Sequence, residues 1–403
     1  MISYDPSDPD FQADPYAMYA RIREEAPVYQ DRLGIWVLSR YDDVAQMLRD
    51  KLLSSDPFTW SLYPEIAEAI YGEIDCPLLS LQRTWLMLRD GEPHAAARRA
   101  MGRAMTTQIL TDSAQYAQQL AAGLAADFWR QGGGDFMKSF ARVLPLRLIC
   151  HILGVPYDDG VQCQAWLDQI LLTFGFGSVE PDALSAANAA ASDVQEYFSK
   201  LCQRRRAHPG NDMLSEMLRS DQDELSEAEW TANTVLLFGA GHETTVNLLG
   251  NGMLALMTHA ACWQDLCADP RLAVPVVDEA LRYDSPMQVI SRSALADLEI
   301  AGYRIESGDH VALLLGSANR DPARFDNPDV FDPHRQSNHP LSFGAGLHYC
   351  LGARLARIEA AAAFNELAVR LAGLRLADER PQHGVTSSHR GLVTLPLICT
   401  ATR

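Results

Sequence analysis

The sequence predicts a mainly α-helical protein with small β-sheets near both ends of the chain. Helical periodicity dominates the central stretch from residue 94 to about residue 260. Strand-like runs occur at residues 28–39 and again beyond residue 298. The chain has 403 residues, 47% of them hydrophobic, and contains no internal repeat or low-complexity linker. It can therefore bury a large core, and we expect one domain over residues 1–403.

The first predicted elements are a helix and a pair of strands. Asp14 and Pro15 open a helix that extends through Glu25, because aspartate favours the N-cap and proline the first turn. Two short runs, 28–30 and 35–39, are predicted to pair as a hairpin. Residues 42–50 are predicted to form the next helix.

Regular periodicity breaks down between residues 54 and 91, where prolines and aromatic residues mix with polar ones. We expect a long loop there, and loops of this length are often lids or binding loops. Glycine and proline interrupt the central helical region at three places: residues 132–134, 154–156 and 209–210. Strands are predicted again over three ranges: 298–305, 310–315 and 392–399.

A long helix begins at residues 226–229, Ser-Glu-Ala-Glu, which have the form of a capping box. Extending to residue 257 or beyond, it would contain roughly 32 residues and measure ~48 Å. In its middle lie residues 240–245, Ala-Gly-His-Glu-Thr-Thr. The two small residues would let a flat cofactor and O₂ approach the backbone. An acid beside a hydroxyl in a buried helix is unfavourable unless it is used or hydrated. A helix kink with satisfied polar groups is the alternative interpretation.

The most informative stretch is residues 343–352, Phe-Gly-Ala-Gly-Leu-His-Tyr-Cys-Leu-Gly, followed by a helix-forming segment over 353–371. The glycines permit a tight turn and close approach to a flat ligand. At the start of a helix, unpaired N–H groups and the helix dipole stabilise a thiolate of Cys350. Such a thiolate is a good axial ligand for haem iron and favours O–O cleavage. For an isolated cysteine, a buried structural role would be the alternative.

The order Phe-Gly-x-Gly-x-His-x-Cys-Leu-Gly resembles the haem-binding loop of the cytochrome P450 family at every position that this family constrains. The resemblance covers the chain from residues 14–16 to residues 392–396. It implies a P450-type helical domain with small β-sheets. One haem b (iron protoporphyrin IX) would lie between the distal, mid-chain helix and the proximal helix after the cysteine. Cys350 would be its iron ligand.

The resemblance also implies roles for residues of the distal helix. Glu243 and Thr244 would relay protons during O₂ activation, so they are the predicted catalytic residues. Ala240 and Gly241 would contact the cofactor. His242 occupies a variable position of the motif and receives no role.

Haem carries two propionates, whose burial requires cations. The resemblance implies four residues for this task. His94 and Arg98 match the family's His-x-x-x-Arg, Arg292 follows the loop after Arg282, and His348 precedes the cysteine by two residues. Each of them could instead be an ordinary surface charge.

A further motif is assigned to the fold. Glu279 and Arg282 share a helix face, a spacing that usually marks a solvated surface pair. In the family this pair is joined by a later arginine, which Arg335 matches. We therefore expect the three residues to hold the fold around the cysteine loop.

Substrate-pocket candidates follow from family positions and suggest an apolar pocket with few polar groups. They are Leu236, Ala240, Thr245, Val289, Ile290 and Val393, with Phe58, Trp60, Leu81 and Trp85 in the variable segment. The aromatic residues of that segment are equally suited to packing.

Composition limits the partners. A formal charge of −18, from 34 basic and 52 acidic residues, disfavours nucleic acid and anionic membranes. The N-terminus lacks signal-peptide features, and no window reaches the ~18 apolar residues of a membrane span. The eight cysteines form no C-x-x-C pair, which suits reduced thiols. We expect a cytoplasmic monomer.

Electrons are expected from NAD(P)H through separate proteins, a ferredoxin and its reductase. The chain carries no flavin or nicotinamide fingerprint, since its Gly-Ala-Gly at residues 239–241 lies within a helix. Several arginines near the cysteine loop suggest a local basic patch that would steer an acidic ferredoxin. They are Arg98, Arg99, Arg103, Arg354 and Arg357.

These observations predict a haem-thiolate monooxygenase that uses O₂ to hydroxylate or epoxidise an apolar or amphipathic small molecule. Natural-product metabolism is the expected setting, with a substrate that is either free or presented on a carrier protein. Oxidative coupling or desaturation on the same scaffold remains an alternative, which product masses would separate. A non-catalytic haem sensor or electron carrier is disfavoured by Glu243 and Thr244. Use of H₂O₂ as the oxidant is disfavoured for the same reason.

Overall fold

The computed structural model describes residues 8–71, 76–173, 180–219, 225–384 and 388–400. In these ranges the helices of the N-terminal half are α1 Pro9–Ala13, α2 Pro15–Glu25, α3 Tyr41–Met47, α4 Tyr63–Tyr71, α5 Pro77–Thr84, α6 Gly91–Ala104, α7 Thr107–Arg130, α8 Val143–Leu153, α9 Tyr157–Leu171 and α10 Pro181–Ala207. Those of the C-terminal half are α11 Met213–Arg219, α12 Glu227–Thr258, α13 Ala260–Ala268, α14 Ala273–Tyr283, α15 Leu315–Ala318 and α16 Ala353–Arg370.

The strands are short and join distant parts of the chain. They are β1 Val28–Gln30, β2 Trp36–Leu38, β3 Leu53–Ser54, β4 Gly133–Asp135, β5 Val289–Ala294, β6 Leu298–Ile300, β7 Tyr303–Ile305, β8 His310–Leu314, β9 Leu374–Leu376, β10 Gln382–His383, β11 Leu392–Thr394 and β12 Pro396–Cys399. One sheet has the order β1-β2-β8-β5-β3 and another β4-β12-β9, while β6-β7 and β10-β11 form separate pairs. The mainly α architecture with small sheets is confirmed.

The predicted N-terminal elements are confirmed. The Asp14 side chain caps α2 by accepting from the Tyr16 N–H at 3.1 Å. Strands β1 and β2 pair antiparallel, and β2 continues into the sheet by pairing parallel to β8. Strand β5 was not predicted, because its sequence Val-Ile-Ser-Arg-Ser-Ala carries three polar residues that conceal a strand buried in the sheet.

The predicted loop over residues 54–91 is wrong for most of its length. The described part contains α4, α5 and two 3₁₀ turns, at Pro57–Thr59 and Leu86–Leu88; residues 72–75 lie outside the described residues. Both α5 and the first 3₁₀ turn begin with proline, which starts a helix as readily as it ends one. Leu78, Leu79 and Leu81 of α5 pack into the core.

The long predicted helix is α12, and its capping box is present. The Glu229 N–H donates to Ser226 Oγ, and the Ser226 N–H donates to the Glu229 carboxylate at 2.9 Å. Helix α12 contacts α8, α10, α14 and α16, and most of its side chains are buried. It is therefore the central helix of the fold, with α16 among its neighbours.

The predicted fold-holding motif forms a buried ion-pair cluster. Arg282 and Glu279, both fully buried, make a bidentate pair with distances of 2.7 and 2.8 Å. Arg335 Nε lies 3.5 Å from Glu279 Oε2. The Arg282 guanidinium also donates to the carbonyls of Asn319, Pro328 and Val330. The cluster thus joins α14 to the segment that leads to the cysteine loop.

Within the described ranges, no single helix has the length and hydropathy needed to cross a membrane. One bent helix pair, Met137–Leu153 with Tyr157–Leu171 at 112°, meets those criteria of length and composition only when taken together.

Candidate active site

The loop before α16 is shaped by glycine. Gly344 and Gly346 have φ angles of +70° and +69°, in the left-handed region that favours glycine. A Cβ on Gly346 would lie 2.7 Å from the Leu48 carbonyl oxygen, so no larger residue fits. The Cys350 N–H donates to the Phe343 carbonyl at 2.9 Å and closes the loop. Cys350 is thereby held just before the first turn of α16.

The Cys350 thiol lines a cavity in the protein interior and is exposed to that cavity. Burial by the surrounding protein raises the pKa of this thiol. The backbone N–H groups of Gly352 and Ala353, with the charges of Arg98 and Arg357, act in the opposite direction. The N-terminus of α16 therefore provides hydrogen bonds and positive potential that favour a thiolate.

The cavity has a volume of about 320 Å³ and is predominantly apolar. Helix α12 contributes Ala240, Gly241, Thr244 and Thr245 to its lining. Thr244 Oγ1 donates to the Ala240 carbonyl at 2.9 Å, so the hydroxyl is held one helical turn back. The predicted distal residues and Cys350 thus line one cavity, although they are about a hundred residues apart in the sequence.

The small size of Gly241 has a further reason. A Cβ at this position would lie 3.1 Å from Ile149 Cδ1 of α8. Because Ile149 lines the cavity as well, glycine allows α8 and α12 to approach each other at the cavity wall.

Glu243 lies outside the cavity lining. Its carboxyl is mostly buried near Asp168 of α9, Arg142 and Asn247. Burial, followed by the charge of Asp168, raises the pKa of Glu243, while Arg142 and a hydrogen bond from Asn247 oppose the rise. The two predicted catalytic residues are therefore adjacent in sequence but face different surroundings. A relay between them has to pass along the side of α12.

His242, which was given no catalytic role, is buried. Its Nε2 lies 3.2 Å from the Arg142 carbonyl oxygen, and burial lowers the pKa of His242 to about 4. Its contact with Arg142 makes it part of the packing between α12 and the segment before α8.

The four predicted propionate residues come together near the cysteine loop. Arg98, Arg292 and His348 line the cavity, and the His94 ring stacks on the His348 ring with centroids 4.1 Å apart. Arg98 Nη2 donates to the Tyr349 carbonyl at 2.6 Å. These residues come from α6, β5 and the loop before α16, and only the tertiary fold brings them into one cluster.

Among the described residues, Arg292 of this cluster has no carboxylate in direct contact, and His94 Nε2 has no hydrogen-bond partner. Arg292 is buried, and among the described residues its side chain makes only a hydrogen bond to the Ser291 carbonyl at 2.8 Å. Burial lowers the pKa of Arg292 to about 10, with Asp90 opposing. The buried Nε2 of His94 has no hydrogen-bond partner among the described residues. The buried cation and the ring nitrogen without a partner fit the propionate carboxylates of a haem, and the nearby thiol fits its iron.

The sequence did not identify Asp90 as a site residue. Its carboxylate lies 3.2 Å from His348 Nε2 and accepts from Ser54 Oγ at 2.5 Å and from the Ser55 N–H at 3.1 Å. Although burial alone would raise it, these hydrogen bonds hold the pKa of Asp90 well below its usual range. Asp90 is the N-cap residue of α6. The local sequence does not indicate that it contacts His348, because His348 and Ser54 are distant from it in sequence.

A second residue that the sequence did not identify is Glu359 of α16. It lines the cavity, its Oε1 has no partner among the described residues, and burial raises the pKa of Glu359 well above its ordinary value. Its only sequence signal is an acid on the buried face of a helix.

The substrate-pocket candidates are only partly in the cavity lining. Leu236, Ala240, Thr245 and Ile290 line it, whereas Val289 is buried in the sheet core and Val393 is exposed. The candidates of the variable segment pack elsewhere: Trp60 stacks on His310, Arg83 covers the Phe58 ring, and Leu81 and Trp85 join the core. Residues that the sequence did not indicate also line the cavity, among them Leu86, Met87, Met105, Ile152, Met213 and Met287.

Comparison with known proteins agrees with this geometry. The family model described as Cytochrome P450 matches residues 261–368. The biotin biosynthesis cytochrome P450 of Bacillus subtilis is 34% identical over 396 residues, covering 96% of this chain and 97% of that protein. This chain belongs to the cytochrome P450 family. It is therefore a haem-dependent monooxygenase that uses O₂.

Other members of the family are similar to this cytochrome P450 over most of their length. The vitamin D(3) 25-hydroxylase of Pseudonocardia autotrophica is 35% identical, with coverage of 89% of this chain and 86% of that protein. The crystal structure of P450BioI in complex with hexadec-9Z-enoic acid ligated acyl carrier protein has 33% identity and a TM-score of 0.89. That similarity covers 97% of this chain and all of the other.

Proposed function

We propose that this P450 oxidises an apolar acyl chain that a carrier protein delivers, with electrons from NAD(P)H through a ferredoxin and its reductase. The observation that carries the proposal is the cavity itself. Its lining combines Cys350 and Thr244 with apolar side chains, and its cations, Arg98 and Arg292, lie with His348. When bound, haem supplies O₂ activation at an iron made electron-rich by a thiolate ligand.

The residues divide the work of holding this cofactor. Cys350 provides the thiolate that binds the iron, and the N–H groups at the start of α16 stabilise its charge. Arg98, Arg292, His94 and His348 bind the propionates. Asp90 fixes the His348 ring through Nε2. Ala240 and Gly241 keep α12 free of bulk beside the cofactor.

Proton supply is assigned to α12. The Thr244 hydroxyl donates its hydrogen to the Ala240 carbonyl, so its oxygen can accept a hydrogen bond from a water molecule at the cavity wall and hold that water in place. Glu243 exchanges protons outside the cavity, where burial and the charge of Asp168 raise its pKa and Arg142 opposes the rise. A positioned donor of this kind contributes roughly 10²- to 10⁴-fold to a rate.

Haem-thiolate ligation is tested by spectroscopy. The purified protein should contain one haem b, and its reduced, CO-bound form should show the red-shifted Soret band of thiolate ligation. Cys350→Ser should abolish this band, and Cys350→His should give a histidine-type spectrum if haem is retained. A thiolate-type spectrum in Cys350→Ser would show that another cysteine is the ligand.

The carrier-bound substrate is supported by the distribution of charge. Away from the cations near the cysteine loop, the described lining is mostly apolar, with Leu237, Ile152, Met87 and Met213 among its members. A free carboxylate buried there would lack a counter-ion. A thioester has no charge, and the carrier stays outside the cavity. The similarity to a P450 solved with an acyl-loaded carrier protein supports the same choice.

The test compares three ligands of the purified holoprotein: hexadecanoyl-loaded acyl carrier protein, free hexadecanoic acid and the unloaded carrier. Displacement of the water on iron is followed by the Soret shift. The loaded carrier should bind at least about tenfold more tightly than the free acid, and the unloaded carrier should cause no shift. Equal affinity for the loaded carrier and the free acid would overturn the carrier proposal.

A further inference from the structure

The wall of the cavity includes a short segment that lies between α5 and α6. Leu86 and Met87 of the 3₁₀ turn Leu86–Leu88 line the cavity, and Met87 remains 42% exposed to solvent. This turn therefore forms part of the cavity wall. Its backbone needs an anchor, because a three-residue turn has little internal hydrogen bonding.

One side chain of α12 supplies that anchor. Asn233, fully buried, accepts from the Leu86 N–H at 2.7 Å and donates to the Thr84 carbonyl at 3.2 Å. It also donates to Glu229 O in its own helix at 2.9 Å. The Asn233 amide thus binds the backbone on both sides of Trp85, at Thr84 and at Leu86. Leu86 is the first of the two residues of this turn that line the cavity.

Asn233 lies on the same face of α12 as residues that line the cavity. Spacings of four, three and four residues lead from Asn233 to Leu237, Ala240 and Thr244, so all four share one helix face. The last three line the cavity. The face that forms the distal wall therefore continues into the residue that holds the neighbouring wall. An ion pair between Arg89 and Glu229, at 2.8 Å, ties the far end of the same segment to α12.

We propose that Asn233 is a positioning residue that sets the size of the substrate cavity by fixing the segment 84–87 against α12. It contacts no reacting atom and acts through the placement of Leu86 and Met87. The inference rests on the proposed function insofar as this cavity receives the substrate.

Helix α12 offers a matched control. Asn251 is also buried and donates to two distant carbonyls, those of Asp284 and Arg390, at 3.1 and 3.0 Å. Asn233→Ala and Asn251→Ala both remove an amide that joins α12 to another segment. A role that is merely structural would lower the thermal unfolding midpoint in both variants and affect the cavity in neither.

The first measurement is hydrogen–deuterium exchange of the holoprotein. Asn233→Ala should accelerate exchange of the Leu86 amide by about tenfold or more, and Asn251→Ala should leave it unchanged. Asn233→Asp keeps an acceptor oxygen for this amide but loses the donor to the Thr84 and Glu229 carbonyls, so its exchange at Leu86 should lie between the wild type and Asn233→Ala. Equal exchange at Leu86 in the two alanine variants would overturn the proposal.

The second measurement uses imidazole and 4-phenylimidazole, nitrogen ligands of haem iron that differ in size. Asn233→Ala should change the ratio of their dissociation constants by about fivefold or more, because the larger ligand reaches the wall. Asn251→Ala should change the ratio by less than about twofold. An unchanged ratio in Asn233→Ala would overturn the proposal. If neither ligand shifts the Soret band of the wild type, the haem assignment is contradicted. The role of Asn233 in fixing the turn is then decided by the exchange of the Leu86 amide.

Discussion

The imidazole rings of His94 and His348 stack with their centroids 4.1 Å apart and their planes 24° from parallel. His348 also contacts Asp90 through its ring nitrogen Nε2, and burial, with His348 and Arg98, lowers the pKa of His94 to about 4. A neutral ring on α6 therefore supports a ring on the cysteine loop. The pair joins the two segments that frame the cation cluster around Arg292.

Replacement of Arg292 should separate cofactor binding from folding. Arg292→Met removes a buried cation without a carboxylate partner, so the apoprotein should become more stable towards urea. Haem transfer to apomyoglobin should nevertheless accelerate by about tenfold or more, since a propionate loses its cation. Arg23 provides the control. It is a buried arginine that donates to Ser317, and Arg23→Met should destabilise the fold without accelerating haem transfer. Unchanged transfer in Arg292→Met would exclude the propionate role.

Thr244→Ala should uncouple electron use from product formation. The variant keeps the apolar lining, so ligand binding should persist, but the hydroxyl anchored on the Ala240 carbonyl is lost. NAD(P)H consumption through the redox partners should continue with release of H₂O₂ in place of product. Thr245→Val, at the neighbouring hydroxyl of the lining, should remain coupled. Full coupling in Thr244→Ala would mean either that the substrate supplies its own hydroxyl or that the assignment is wrong. A substrate analogue without that hydroxyl distinguishes the two.

Glu243→Gln should slow turnover without opening the cavity. The amide keeps the shape of the side chain and its contact with Asn247 but cannot exchange an acidic proton. Turnover should fall by roughly 10²-fold, as expected for loss of an acid–base group, with a larger solvent isotope effect. Dissociation constants of cavity ligands should not change, since Glu243 lies outside the lining. A wild-type turnover rate would remove Glu243 from the relay.

Charge reversal beside the cysteine loop should slow reduction by ferredoxin. Gly102 of α6 lies against Leu351, so the arginines of α6 and α16 flank the loop. Arg99 is paired with Glu92 and Arg357 with Asp278, while Arg354 is exposed. Arg354→Glu should therefore reduce the rate more than Arg99→Glu, and the difference should shrink as salt rises.

The matched control for this charge change is Lys200→Glu on α10. Lys200 is exposed and paired with Glu196, and its helix packs against α5, α9, α11 and α12. The control should leave reduction kinetics unchanged. Equal kinetics in Arg354→Glu and Lys200→Glu would place the ferredoxin on another surface.

His242 should make the fold sensitive to acid. Burial lowers the pKa of His242 to about 4, below the ~6.5 of an exposed imidazole. As pH falls from about 6.5 to about 4, the unfolded chain binds a proton that the folded chain does not. The contribution of His242 to the free energy of unfolding should therefore be constant above this window and decrease within it, by about 1.4 kcal/mol per pH unit. Urea denaturation of His242→Gln should show a correspondingly smaller slope, whereas His208→Gln, at an exposed position, should keep the wild-type slope.

Local sequence determined the elements whose partners are near in the chain. The Asp14 cap, the capping box at Ser226 and the glycine turn before Cys350 all depend on contacts within a few residues. Residue type and spacing were therefore sufficient to predict the helices they begin and the cysteine loop.

Tertiary structure alone decided the features that depend on distant partners. The contact of Asp90 with His348 and the hydrogen bond between Asn233 and Leu86 each join segments far apart in sequence. The burial of Arg292 without a carboxylate partner depends on the segments that the fold places around β5. The environment of Glu243, outside the cavity that Thr244 lines and near Asp168 of α9, depends on what the fold packs beside α12. The burial and ion pairing of a side chain depend on the residues that the fold places around it. Those neighbours come from distant parts of the chain, so the local sequence does not predict them.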